Sequence, residues 1–114
     1  IAFVLKTPLR GPGCTAAAVL AATDYVVPAV EIIDSRYENF RFDLTSVVAD
    51  NTSATRFVVG STPRGVAGVD LAALGIEMLK NGASAATATG AAALGNPAEA
   101  VAELANHLAR RGAE

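Results

Sequence analysis

"VEIIDSRYENF", Val30 to Phe40, decides how the chain is read. It continues the apolar run "YVVPAV" of residues 25–30, and it has the β-branched content of a strand. Yet Glu31, Asp34 and Arg36 place three charges in or just beyond it. With a side-chain period of two, Val27, Ala29, Glu31 and Ile33 share one face, while Val26, Val30, Ile32 and Asp34 share the other. Neither face is polar, so the strand reads as covered on both sides. A covered carboxylate must be paired, hydrogen-bonded, protonated or bound to a metal. Two readings follow. In one, Asp34 and Arg36 form a structural ion pair and Glu31 accepts backbone or hydroxyl hydrogen bonds. In the other, Glu31, flanked by apolar residues, is a metal ligand or catalytic group. One carboxylate makes no Mg2+ site, so an ion there needs further oxygens from protein, substrate or water.

Toward the N-terminus, Ile1 to Leu5 reads as a strand, and the prolines and glycines of "KTPLRGPGCT" make a loop. Thr15 is placed to N-cap an alanine-rich helix over about Ala16–Ala22, ended by "TD". The long apolar strand then spans Tyr25 to Ser35, with Pro28 marking an edge or a bulge, because proline cannot donate to a ladder. Toward the C-terminus, "RYENFRFDL" alternates aromatic with polar residues, and Asp43 can cap a helical turn over "LTSVVA". The polar side chains of "DNTSAT" favour turns and caps. "RFVVG" is a short strand and "STPRGVAG" a loop. Asn81-Gly82 is a strong two-residue hairpin signal. Asn96, Pro97 and Glu99 open a final amphipathic helix with Val101, Leu104 and Leu108 as its apolar stripe, and Gly112 is placed at C′. The fold class is therefore α+β, mixed and strand-rich, with a C-terminal amphipathic helix.

The 114 residues fit one small domain, and 52% hydrophobic against 18% charged residues argues against disorder. Much of that hydrophobicity is alanine, tryptophan is absent, and Phe and Tyr together number six (4 + 2). The core should thus be thin, with neighbouring chain or subunits supplying part of it. A net charge of −2 without a basic cluster speaks against nucleic-acid binding. No apolar run approaches the about 20 residues of a membrane span. The single cysteine, Cys14, excludes an internal disulfide and fits the reducing cytoplasm. The opening "IAFVL", without methionine, reads as the inside of a strand in a longer protein.

Four further groups could carry chemistry. "GPGCT" lies between a strand and a helix start, as a phosphate cradle would, but lacks the P-loop lysine and reads first as a plain loop. Cys14 has no histidine near it in sequence. His107 stands one turn after Glu103 and reads as a solvated helical pair. "DNTS", Asp50 to Ser53, either caps turns or faces a ligand.

The patterns "VEIIDSRYENFRFDLTSVVADNTSATRFVVG" and "NGASAATATGAAALGNPAEAVAELANHLARRG" resemble the family of 2-hydroxypentadienoate hydratases and 4-oxalocrotonate (2-oxo-3-hexenedioate) decarboxylases, a branch of the fumarylacetoacetate-hydrolase-like fold. The resemblance runs over essentially all 114 residues. "LKTPLRGPGCT" and the aromatic stretch after "DSR" are more similar to the decarboxylases. It implies a metal-dependent carboxy-lyase of the meta-cleavage breakdown of aromatic compounds, with the hydratase of the same family as the alternative. A non-catalytic structural homologue is the second alternative. It also implies Mg2+ or Mn2+ held by three carboxylates, one of them Glu31 and two from a Glu-x-Glu pair preceding Ile1. The catalytic lysine and its partner acid are likewise expected outside this chain, so residues 1–114 would be the central part of one catalytic domain. Arg10 and Ser53 are the candidate substrate contacts, and the loop "RGPGCT" is a candidate for telling decarboxylation from hydration. The implied partners are a small 2-oxo acid, further copies of the chain and an associated hydratase, with no nucleic acid and no membrane.

Overall fold

A computed structural model describes residues 1–113. Its strands are β1 (Ala2–Leu5), β2 (Thr23–Val27), β3 (Ala29–Ile33), β4 (Ala54–Val59), β5 (Gly75–Lys80) and β6 (Ala83–Thr89). Its helices are α1 (Ala16–Ala22), α2 (Leu44–Ala49) and α3 (Pro97–Arg110), and short 3-10 turns cover Glu38–Phe40, Asn51–Ser53 and Gly90–Ala92. The strands form three two-stranded ribbons, β1-β2, β3-β4 and β5-β6, and the last two are antiparallel. The mixed helix and strand content agrees with the α+β expectation. The chain divides into two compact units, one of Ile1–Ala2 with Val27–Pro63, the other of Phe3–Val26 with the chain from Arg64 onward.

Local chemistry builds the helices where the caps stand. The Thr15 hydroxyl accepts from Ala18 N–H at 3.2 Å, and the Asp43 carboxylate accepts from Ser46 N–H at 2.7 Å. The Asn96 side chain accepts from Ala98 N–H at 2.9 Å, with Pro97 opening α3 and Glu99 in its first turn. At the other end Gly112 has φ +69. Its N–H donates to the Ala109 carbonyl while Ala113 N–H donates to that of Leu108, the paired bonds of a Schellman motif. Asn81 (φ +52) and Gly82 (φ +81) both take the left-handed conformation that a two-residue type I′ hairpin needs.

Two expectations change. The long strand is interrupted at Pro28, and β2 and β3 take different partners. Thr23 and Asp24 already belong to β2, and the Thr23 hydroxyl donates to the Val19 carbonyl at 2.7 Å, so α1 runs directly into the strand. The apolar stripe of Val101, Leu104 and Leu108 is also not what α3 buries most deeply. Ala98 and Ala102 are its buried residues after Pro97, whereas Leu104 is exposed. Small side chains face α1 because they let the two helices approach closely. Cys14, Val19, Ala98 and Ala102 form the central cluster, flanked by Phe3, Leu9, Leu20 and Val101. The core is as thin as the alanine-rich composition predicts.

A second close approach is at Gly90. A Cβ there would collide with the Leu71 carbonyl oxygen, so the turn after β6 requires glycine at that position.

Candidate functional site

In the first unit, β3 and β4 pair from Ala29↔Val59 through Glu31↔Phe57 to Ile33↔Ala54, with a register irregularity between Ile32 and Ile33. Opposed residues of an antiparallel pair point to the same side, so Glu31 stands beside Phe57. The expected cover on both faces is absent among the described residues. Val30, Glu31, Ile32, Ile33, Phe57 and Val58 are all exposed. A two-stranded ribbon has only one partner per strand, and these apolar side chains stand about half or more exposed. Glu31 therefore presents its carboxylate to solvent, and the carboxylate takes part in no hydrogen bond or ion pair among the described residues.

The expected Asp34–Arg36 pair is replaced. Arg36 pairs with Asp50, its Nη1 donating to Asp50 Oδ1 at 3.0 Å and to the Asp50 carbonyl at 3.1 Å. The Arg36 backbone N–H donates to Asp50 Oδ2 at 3.3 Å. Asp34 is tied instead through its backbone, its N–H donating to the Ser53 carbonyl at 2.8 Å. Past the end of β3 the chain turns, so two residues spaced i, i+2 no longer face the same way. Asp50 lies where the α2 end and the following turn converge on that point, and it is the buried partner, with a side chain only 3% exposed.

The "DNTS" cluster is a tight turn. Asn51, Thr52 and Ser53 all have positive φ (51, 53 and 61), a conformation that side chains disfavour and that surrounding bonds must hold. The buried Ser53 hydroxyl makes a long hydrogen bond, 3.5 Å, to Asp50 Oδ2. Asp50 thus links Arg36, the turn and Ser53 in one network. Sequence reading gave it no such part, because its partner Arg36 is 14 residues away.

Arg10 belongs to the second unit. It is exposed and lines a groove of about 440 Å3 between the residue 5–12 segment and α3. Leu5, Leu9, Val101, Leu104 and Leu108 give the groove an apolar wall. The apolar stripe of α3 thus walls an open groove, with Val101 also touching the core cluster. Across the loop, Asn106 of α3 accepts from Cys14 N–H at 2.8 Å and donates to the Cys14 carbonyl at 2.9 Å. The Cys14 thiol is buried in the α1/α3 cluster, and His107 and Glu103 are exposed on α3.

Glu31 and Ser53 thus fall in one compact unit and Arg10 in the other. Among the described residues, no group of three or more His, Cys, Asp or Glu side chains gathers that could hold a metal ion. Glu31 by itself offers one hard oxygen ligand, which suits Mg2+ chemistry but falls short of the six oxygens the ion takes.

Comparison with known proteins gives this arrangement its context. Over 98% of its length the chain is 61% identical to 4-oxalocrotonate decarboxylase of Pseudomonas sp. strain CF600. It is also similar, at 56% identity and a TM-score of 0.87, to a solved structure of 4-oxalocrotonate decarboxylase from Pseudomonas putida G7 complexed with magnesium and adipate. The chain is a homologue of 4-oxalocrotonate decarboxylases. A hydratase relative, 2-hydroxyhexa-2,4-dienoate hydratase of Comamonas testosteroni, is 48% identical over the same share of the chain. The chain spans 42% of the length of each of these relatives, and 96% of it is covered in the structural match. No family model matches the chain. No helix among the described residues is long and apolar enough to cross a membrane.

Proposed function

We propose that this chain is the central part of the catalytic domain of a metal-dependent decarboxylase that converts 4-oxalocrotonate to 2-hydroxypenta-2,4-dienoate and CO2. The supporting observation is the ordering of the relatives, 61% identity to a decarboxylase against 48% to a hydratase. The adipate in the similar solved structure points the same way, since 4-oxalocrotonate is also a six-carbon dicarboxylate. The fumarylacetoacetate-hydrolase-like fold, a cytoplasmic setting, self-association and an associated hydratase subunit belong to the same reading. The open apolar faces of the β3-β4 and β5-β6 ribbons support contacts beyond this segment.

In the reaction, the bond between C5 and the distal carboxylate breaks. Its electron pair moves through the conjugated double bond onto the 2-oxo oxygen, which takes up a proton to give the dienol. A divalent ion, Mg2+ or Mn2+, would supply Lewis-acid polarisation of the 2-oxo group. Glu31 is the residue of this chain that would contribute a ligand, completed by oxygens outside the described residues. Arg10 would pair with a substrate carboxylate, and Ser53, whose buried hydroxyl is given to Asp50, would bear on the substrate through the 50–53 turn it helps to hold.

The test is Mg2+ titration and CO2 release by the full-length protein, wild type against Glu31→Ala. Magnesium-dependent CO2 release that is lost together with magnesium affinity in the variant is the expected result. Water addition to 2-hydroxypentadienoate without CO2 release would move the assignment to the hydratase. Magnesium affinity and rate that are both unchanged would remove Glu31 from the site.

A further inference from the structure

We infer that Asn106 is a positioning residue: its side-chain amide locks the 10–14 loop onto α3 and so fixes where Arg10 stands on the groove. The inference rests on the reading of Arg10 as a substrate contact.

The clamp is a match of chemistry. Among neutral side chains, a primary amide sets a donor and an acceptor side by side, which complements the N–H and C=O of one residue. Asn106 uses both on Cys14, at 2.8 and 2.9 Å, across 92 residues of sequence. No feature of α3 itself calls for asparagine here. The helix is capped at both ends by other groups, and asparagine is a poorer interior helix residue than alanine.

Two further anchors act within the same few residues. A Cβ on Gly11 would stand 2.8 Å from both the Ala105 carbonyl oxygen and Asn106 Cα, so the loop backbone lies flush on the helix. The Cys14 side chain is buried against Val19, Ala98 and Ala102. Glycines at 11 and 13 would otherwise leave this loop many conformations. Arg10 directly precedes the clamped stretch and shares the groove with Pro12, so its reach is set by how firmly that stretch is held.

The experiment uses the full-length protein with Asn106→Ala, and measures two things below its melting range. The first is the rate at which iodoacetamide alkylates Cys14, followed on the Cys14 peptide by mass spectrometry. The second is KM and kcat for 4-oxalocrotonate. Alkylation should quicken by about tenfold as the loop lifts, and KM should rise by about tenfold while kcat stays within about threefold, the split expected when a substrate contact made equally in the ground and transition states is weakened. Asn106→Asp keeps the oxygen that receives the Cys14 N–H but has no donor for the carbonyl. It should fall between wild type and alanine, and it replaces the alanine variant if that one does not fold.

Unchanged alkylation would overturn the clamp whatever the kinetics. Faster alkylation with unchanged KM in an active enzyme would overturn the link from the loop to the substrate. A wild type that does not decarboxylate 4-oxalocrotonate would overturn the functional reading itself, and the alkylation arm would still judge the clamp.

Discussion

The α1/α3 layer and the β3-β4 ribbon spend their apolar residues in opposite ways. In the helical layer the buried side chains are small: Cys14, Val19, Ala98 and Ala102 close a core with little volume. In the ribbon the side chains are large and stand open, with Phe57 at 76% and Ile33 at 57% exposure. Helices can pair through alanine because close approach compensates for small area. A two-stranded ribbon has no such option, since each face needs another layer to cover it. The difference separates a layer that closes its own core from a ribbon that leaves both faces open. The helical layer packs on itself, while the ribbon holds the Glu31 carboxylate among exposed apolar side chains and without a hydrogen bond or ion pair among the described residues.

The largest effect that would break this contrast concerns Glu31. Glu31→Gln in the full-length protein should lower turnover by about 100-fold or more, at least what the loss of a metal site's supporting partner costs. It should leave the melting temperature unchanged, because the carboxylate makes no described bond. A large fall in thermal stability by calorimetry would show Glu31 to be structural. The reverse holds for Val19, which is fully buried in the helical layer. Val19→Ala should cost about 2 kcal/mol by denaturant unfolding, from two lost methyl groups and the cavity they leave. KM should not change, and a loss of activity with full stability would contradict the division of roles.

The β5-β6 ribbon sharpens the comparison, because it is open like β3-β4 but is ordered by turn chemistry. Gly82→Ala forces a Cβ onto φ +81 and should destabilise by about 1 kcal/mol, with the loss of β5-β6 amide protection in hydrogen exchange ahead of other regions. The smallest effect lies at the start of α2. The backbone N–H of Ser46, and then its side chain, stabilise the Asp43 carboxylate and hold its pKa below the ordinary value. A lowered folded-state pKa means stability that is present above the unfolded pKa and is lost as pH falls through the folded one. Asp43→Asn, which still caps the helix, should therefore be slightly less stable than wild type at neutral pH. The gap should close on acidification, and a gap that stays constant with pH would exclude the charge as its source.

Short-range signals in the sequence translated directly into structure. Thr15, Asp43 and Asn96 cap the helices they precede, and Asn81-Gly82 makes the hairpin. Each depends on groups within a few residues, so local chemistry suffices. Glu31 was singled out by its charge in an apolar strand, which the chain does show, but the cover inferred for that strand is not among the described residues. Arg36 choosing Asp50 over Asp34 was illegible, because it depends on the chain turning back after α2. Nothing local marks Asn106 out among the polar residues of α3. Only the approach of residues 11–14 to α3 makes its amide meaningful.

The sequence by itself determined the element types, the caps, the hairpin, the thin alanine-rich core and the kinship to 4-oxalocrotonate decarboxylases, because these rest on local bonding and on residue identity. Tertiary structure alone decided that Pro28 divides the strand between two partners and that alanines, not leucines, face the core of α3. It also decided that Asp50 and Asn106 hold the loops that bear Ser53 and lead on from Arg10. Those outcomes depend on which distant backbone comes within hydrogen-bonding reach, a distance that no local pattern encodes.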